Sequence, residues 1–507
     1  MKDKISKIAR SDNMNIKDKK ILISIVLTVF VVGFIAHGYQ MFNFNLVHDS
    51  ITESLYLPVE WKISLGRFLQ PISWEIRGDV ANPLLIGLLS FSYMSLSIYM
   101  ISKIFNIRNV ILVILLSIIF ITHVSITLNL GLFINELDTF VLSIMFSICS
   151  VYYYDKYSKY NIVLSIVFIV LSLGLYQASF QVAIGVYMLY ILNQLIINNT
   201  LNDIIKKIIY IILILIVSPI LYYIMLTLVQ NYFGIVSADS YNSVSNISYM
   251  IDFNNWPLAI FNTYKSVAKD LLFPQTQHSL LVLIINLILF IYIILCSVKL
   301  LKNKSNIAKI LIILILLLLP FGIGIMYFMS GMRHDLMSFS SMLFYLLFII
   351  LYKNNTKKVN WLNEKIIIIT SIIIFLSNTI YANKVYTNSY LAEKNAEFNI
   401  TRIVNDIEEM PGYKVGITKV YFIGNFFDSI TVNHSIIEHK EAFGYLNKPN
   451  ALTSSNSIYS YINHVLSYPM NIVFDFEVDQ SKIDNMAVFP YDGYCQIVDD
   501  VIVVRIS

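Results

Sequence analysis

Eleven apolar runs, each close to the length of a bilayer crossing, govern what this chain can become. They lie near 21–39, 83–104, 109–129, 137–154, 161–177, 179–197, 207–229, 279–300, 307–328, 335–352 and 364–382. A helix needs about 20 predominantly apolar residues to span the hydrocarbon core. The chain is 57% hydrophobic and 13% charged, far from the roughly 25% charged composition of a soluble domain, so lipid must solvate much of its surface. The expected fold class is a polytopic α-helical membrane protein with about eleven transmembrane helices. No small-residue cleavage site follows the first run, which therefore reads as a retained span and not as a signal peptide. The fifth and sixth runs share the hairpin Leu175-Tyr176-Gln177-Ala178-Ser179. Merging them would reverse the side of every later loop.

Basic residues decide the sides. With the N-terminus inside, the inner loops hold Lys103, Arg108, Lys156, Lys159, Lys206, Lys207, Lys299, Lys302, Lys304, Lys353, Lys357 and Lys358. The outer loops between spans hold Lys62, Arg67, Arg77, Lys265, Lys269 and Arg333. This is the asymmetry of the positive-inside rule. It predicts a cytoplasmic tail at 1–20, a transmembrane domain at 21–382 and an extracytoplasmic soluble domain at 383–507, in a multi-pass protein of the cell membrane. The long loops, 40–82 and 230–278, fall outside. Loops of that length are usually functional or disordered; these are rich in aromatics, so the chemistry is expected at the outer face. The net charge of +4 is scattered and forms no basic patch, so nucleic acid is not an expected partner. Cys149 and Cys296 lie inside apolar runs and Cys495 near the C-terminus, which is no disulfide pattern.

Residues 59–77 read VEWKISLGRFLQPISWEIR. Trp61, Leu65, Phe68, Leu69, Ile72 and Ile76 make one apolar stripe, which predicts either an amphipathic helix lying in the interface plane and bent near Pro71 or a short helix packed on other loops. Val47-His48-Asp49-Ser50 precedes it at the mouth of the first span. Asn135-Glu136-Leu137-Asp138 sets two acids where the fourth span opens. An unpaired carboxylate at that depth is expensive and implies a polar cavity. His37 and His123 are expected as hydrogen-bonded helix histidines. Arg333-His334-Asp335 gathers a cation, an imidazole and a carboxylate before the tenth span. Arg67, Arg333 and Lys269 are the outer cations placed to meet a phosphate, which a guanidinium grips through two parallel hydrogen bonds. In the tail, 413–423, 470–476 and 497–506 read as strands and 390–409 as a helix, a small α/β domain.

Together these stretches resemble the bacterial membrane glucosyltransferase II family, part of the wider GT-C class. The resemblance rests on Asp49 followed by Ser64-Leu65-Gly66-Arg67-Phe68, and on Asn135-Glu136-Leu137-Asp138 opening a span. It rests also on Leu173-Gly174-Leu175-Tyr176-Gln177-Ala178 at the tight hairpin and on a closing Val503-Val504-Arg505. His48-Asp49 stands where many relatives carry two adjacent acids. What the resemblance implies is an inverting hexosyltransferase. Its donor would be a polyprenyl-phosphate-linked sugar, by family glucose, held with membrane lipid. Its acceptor would be a cell-envelope polysaccharide or a teichoic-acid-like glycan. Such transfer needs one base for the acceptor hydroxyl, and a phosphate leaving group needs positive charge more than a general acid. On this resemblance Asp49 is the base, with Asp138 second, and Arg67 and Arg333 hold the phosphate. His48, Glu136, Tyr176, Gln177 and His334 complete the substrate site. No metal ligand is assigned, although a divalent metal, Mg or Mn, is a cofactor the pattern allows.

Two other classes share the outline. A flippase or transporter of lipid-linked oligosaccharide would also have many spans and buried acids, but should show internal repeats with broken helices in matching halves, and no convincing repeat is found. An envelope polysaccharide polymerase would share the large outer loops without needing the long C-terminal domain.

Overall fold

The computed structural model describes residues 16–46, 49–53, 57–156, 159–197, 200–238, 253–272, 279–302, 304–331, 334–355, 361–426, 451–452, 454–477 and 480–507. Helix α1 (Ile16–Phe42) leads into three short helices, α2 (Asp49–Glu53), α3 (Val59–Ser64) and α4 (Gln70–Trp74), before α5 (Pro83–Ile104) returns. One broken span follows, α6 (Val110–Ile121) with α7 (Val124–Leu132), and then α8 (Leu137–Asp155), α9 (Lys159–Leu175), α10 (Phe180–Ile196) and α11 (Leu201–Phe233). The second half holds α12 (Trp256–Leu272), α13 (Ser279–Leu301), α14 (Asn306–Ile323), α15 (Ile325–Ser330), α16 (Leu343–Asn355) and α17 (Trp361–Glu408). Among the described residues ten helices are long and apolar enough to cross a membrane, and Tyr160–Leu175 is a shorter apolar helix. A 3-10 turn at Gln177–Ser179 separates α9 from α10. The chain is therefore a multi-pass helical membrane protein, and its fifth and sixth runs are two helices.

Buried polar groups fix how the spans meet, because no water is present in the bilayer core to satisfy them. The His37 ring sits 2.8 Å from the Tyr386 hydroxyl and 2.8 Å from the Ile121 carbonyl, tying α1, α6 and α17 together. The break between α6 and α7 falls at His123, whose side chain accepts from the Ser125 amide at 3.2 Å. Its other ring nitrogen lies 3.1 Å from the Ser341 hydroxyl. Both histidines are hydrogen-bonded within the bundle, as expected. At the end opposite the 57–82 loop, lysines meet helix C-termini. Lys304 donates to the carbonyls of Leu195 and Ile196 at 2.8 Å each, and Lys353 donates to Phe105 at 2.7 Å. Cations are favourable there because the last carbonyls are unpaired and the helix dipole is negative.

The 59–77 stretch departs from the single bent helix. It breaks at Leu65–Leu69, where Gly66 takes φ +82°, and Pro71 falls in the first turn of α4, where its missing amide costs nothing. Lys62 is buried while Trp61, Ile72 and Ile76 are exposed. Charge pairing with the neighbouring helices has overridden the apolar stripe.

The C-terminal region differs from expectation in four places. Helix 390–409 is not separate; it is the continuation of the last span in the 48-residue α17. The expected 413–423 strand shortens to β1 (Lys419–Ile423) because Gly412 and Gly416 turn the chain at φ +82° and +72°. After α18 (Ser455–Ser460), the 470–476 strand contracts to β2 (Asn471–Ile472). Beyond α19 (Gln480–Asp484), the expected 497–506 strand is a hairpin, β3 (Cys495–Val498) and β4 (Val501–Arg505). Asp499 and Asp500 both adopt positive φ at its turn, the geometry that matches the twist of paired strands. The sheet order is β2-β1-β4-β3, with β1 parallel to both neighbours. Val503 and Val504 are fully buried at its centre.

The β1 end gives a test. Gly424 has φ +84°, and a Cβ there would lie 2.7 Å from the Ser507 amide nitrogen. Gly424→Ala should destabilise this region by about 1–2 kcal/mol. Limited proteolysis of the detergent-purified protein should then cut the C-terminal region faster while the helical core stays intact.

Candidate active site

The 57–82 loop, the 134–136 turn and the 175–179 hairpin meet at one end of the bundle. Glu136 is buried at the start of the fourth span and forms ion pairs with Lys62 and, at 2.8 Å, with Arg67. Gln70 adds a longer contact at 3.5 Å. Two residues on, Asp138 lies 3.3 Å from the Nε of Arg77 and accepts from the Thr139 amide at 3.0 Å. The Arg77 guanidinium also donates to the carbonyls of Val80 and Asn135, at 2.9 Å each, so it pins the loop to the turn. These bonds explain how two carboxylates persist at the mouth of an apolar bundle. Each is compensated by buried or nearly buried cations, since an unpaired charge there would cost several kcal/mol.

Arg67 is held from below by the hairpin. Its guanidinium stands 4.9 Å from the centre of the Tyr176 ring, a favourable cation–π placement. Gln177 donates to the Leu65 carbonyl at 2.8 Å and to the Tyr222 hydroxyl at 2.9 Å, and Tyr222 donates to the Gly66 carbonyl at 2.9 Å. A Cβ at Gly66 would stand 2.5 Å from the Tyr222 hydroxyl; only glycine allows this approach at that φ. Gly174 performs the same service on the other side. Its carbonyl accepts from Leu69 at 3.0 Å, and a Cβ would come within 2.9 Å of the Leu69 side chain. Arg67 remains the most accessible cation of the group, with its side chain 17% exposed against 2% for Lys62.

The structure thus brings together Arg67, Glu136, Asp138, Tyr176 and Gln177. Helix α2, which begins at Asp49, packs against the 134–136 turn and against α18; the Asp49 side chain, His48 and Arg333 lie outside the described residues. His334 opens a 3-10 segment (Asp335–Met342) that packs on the 177–179 turn. Burial holds its imidazole below the ordinary value, with Asp335 opposing. Gln181 ties the same segment down by donating to the Met337 carbonyl at 2.5 Å. Arg505 is elsewhere, donating to the Ile483 and Met486 carbonyls at 2.8 Å, so the closing Val-Val-Arg belongs to the sheet.

Lys62, Gln70, Arg77 and Tyr222 were not expected in the site. A signal existed for two of them. The loop carries three cations, Lys62, Arg67 and Arg77, and the next outer turn carries two acids; burial of both segments requires them to pair. Tyr222 and Gln70 had none. Among the described residues no three His, Cys, Asp or Glu side chains converge on a metal-sized site. Glu136 and Asp138 already face protein cations, an arrangement that does not suit them as ligands of a Mg or Mn ion.

The sequence pattern of the family described as Glucosyl transferase GtrII matches residues 38–351. That is more than half of the chain. The chain belongs to the glucosyl transferase GtrII family. It is accordingly a membrane glycosyltransferase. The matched span contains the cluster and its supporting hairpin and leaves α17 beyond Tyr352 and the sheet outside it. No curated protein and no solved structure matches the chain.

In this GtrII-family chain the Arg77–Asp138 pair can be tested by a mutant cycle. Arg77→Met leaves Asp138 buried without its cation and should cost about 3–5 kcal/mol. Arg77→Met combined with Asp138→Leu should recover most of that loss. Thermal unfolding in detergent reads both variants; equal destabilisation by the single and the double variant would count against the pairing as described.

Proposed function

We propose that the chain moves glucose from a polyprenyl-phosphate carrier to a cell-envelope polysaccharide or teichoic-acid-like acceptor, at the extracytoplasmic face of the cell membrane. One observation carries this reading. At the mouth of the bundle Arg67, paired with Glu136 and set against the Tyr176 ring, keeps its side chain 17% exposed while Lys62 and Arg77 are buried. A guanidinium so held suits a phosphate, which it can grip through parallel hydrogen bonds. The lysines that cap helices at the opposite end support the same orientation through the positive-inside rule. The N-terminal tail is then cytoplasmic, the GT-C-like bundle spans the membrane, and 383–507 forms an extracytoplasmic domain over the site.

In the proposed reaction Asp49 takes the proton of the acceptor hydroxyl, whose oxygen forms a bond to the anomeric carbon. The bond from that carbon to the phosphate oxygen breaks on the opposite side, inverting the centre. The electron pair leaves on the lipid phosphate, where Arg67, joined by Arg333, stabilises it. Asp138, committed to Arg77, is the weaker candidate for base, because proton uptake would leave a buried guanidinium uncompensated. Glu136 orients Arg67, Tyr176 and Gln177 support its loop, and His48 and His334 line the acceptor side. No step is routed through a metal.

The test uses purified protein in detergent with polyprenyl-phosphate-glucose and isolated envelope glycan. Wild type should transfer glucose. Asp49→Asn should lower kcat by about 10²–10⁴-fold, the usual contribution of a general base. Arg67→Lys should fall between wild type and Arg67→Ala in kcat/KM, because lysine keeps the charge and loses the paired hydrogen bonds. Full activity of Asp49→Asn would overturn the assignment, and transport of the intact lipid-linked sugar without transfer would favour a flippase.

A further inference from the structure

Along the second half of α11 the buried residues form one narrow stripe: Ile214, Ser218, Tyr222, Leu226 and Gln230. Each stands four residues from the last, so all share one face of the helix. The two long polar side chains of the stripe, Tyr222 and Gln230, both reach across to the 59–68 stretch. Tyr222 donates to the Gly66 carbonyl at 2.9 Å, and Gln230 donates to the Ile63 carbonyl at 3.1 Å. Just past α11 the Ala238 amide donates to the Ser64 carbonyl at 3.1 Å. With Gln177 on the Leu65 carbonyl, every carbonyl from Ile63 to Gly66 is taken by a donor from another part of the chain.

Helix ends explain why these carbonyls are open to such donors. Helix α3 closes in a Schellman turn, with the Arg67 amide on the Lys62 carbonyl at 2.8 Å and the Gly66 amide on Ile63 at 3.0 Å. The carbonyls of Ser64, Leu65 and Gly66 lie past the last turn, where helix geometry supplies no donor. Helix α11 ends in the same motif. Gly234 takes φ +68°, and the Ile235 amide bonds to the Gln230 carbonyl at 2.9 Å. Gln230 is thus fixed through its main chain while its side chain reaches α3. Ser237 donates to its Oε1 at 3.1 Å, which turns the amide nitrogen toward Ile63. The Tyr222 ring also stacks on Phe68, with centroids 5.9 Å apart, so α11 grips the chain on both sides of Arg67.

We propose that Tyr222 and Gln230 are positioning residues, which fix the main chain at 63–67 and so aim the Arg67 guanidinium at the donor phosphate. This rests on the phosphate role given to Arg67 above. Glu136 and Tyr176 set its side chain; α11 sets its backbone. The donor phosphodiester carries one negative charge and gains a second as its bond to the anomeric carbon breaks. A misaimed guanidinium therefore costs the transition state more than the bound donor.

The test uses the full chain in nanodiscs, with polyprenyl-phosphate-glucose and isolated envelope glycan. Tyr222→Phe keeps the ring on Phe68 and removes the hydroxyl; Gln230→Met keeps the length and removes the amide. In monodisperse protein each should lower kcat by about 10–100-fold, the scale of a misplacement near 1 Å. The donor KM should change by less than about threefold. In an Arg67→Ala background the same substitutions should cost less than about twofold, because the group they aim is gone. An equal factor in both backgrounds would overturn the proposal. Full activity of Arg67→Ala would overturn the phosphate role and the proposal with it. Hydrogen exchange of the 59–70 peptide needs no donor. Tyr222→Phe should speed it by about tenfold, the loss of roughly one hydrogen bond, and unchanged exchange would overturn the clamp. A wild type that transfers no glucose would defeat the donor reading, and hydrogen exchange would then still judge the clamp.

Discussion

The ion network around Glu136 and Asp138 is the constraint on which this end of the molecule depends. Two carboxylates at the start of an apolar helix are tolerable only with cations brought to them. Those cations arrive on a loop from a different part of the chain, more than fifty residues earlier. The pairing therefore folds the 57–82 loop down onto the bundle, and the hairpin at 175–179 receives it. Without the acids the loop would have no reason to bury Lys62, and its exposed apolar residues would set its position instead. The same bonds that stabilise the loop carry the glucosyl chemistry proposed for it, because they leave Arg67 as the most accessible cation of the network.

How much of this was legible in the sequence depended on the kind of signal. Spans were legible because apolar length is a local property, and even the fragile split at Tyr176-Gln177 appears as separate helices. Arg67, Glu136, Asp138, Tyr176 and Gln177 could be named from short motifs, and these residues do meet. Their partners could not. Lys62 looked like the polar side of an amphipathic helix, since periodicity describes a helix alone and carries no information about a charge on a neighbouring span. Tyr222 was one aromatic among many in α11. The hairpin at Asp499-Asp500 was hidden for a similar reason, because an unbroken β-prone stretch reads as one strand unless positive-φ turn chemistry is recognised.

The two ends of the bundle solve their electrostatics differently. At one end basic side chains pair with buried acids. At the other, Lys304 and Lys353 are spent on carbonyls at helix ends, and Lys103 pairs with Asp18 at 2.6 Å. Basic residues at this end thus hold individual helices in place.

The long α17 has a mechanical consequence. Its 48 residues form one helix of about 72 Å, more than twice the roughly 30 Å of a hydrocarbon core. About 39 Å of it lies beyond residue 382. No loop interrupts it to act as a swivel. Any tilt of the sheet region must therefore be transmitted as torque to the last span, and through His37 and Tyr386 to the first. The sheet region and the last span are joined by one continuous helix, so a load placed on one is felt at the packing of the other.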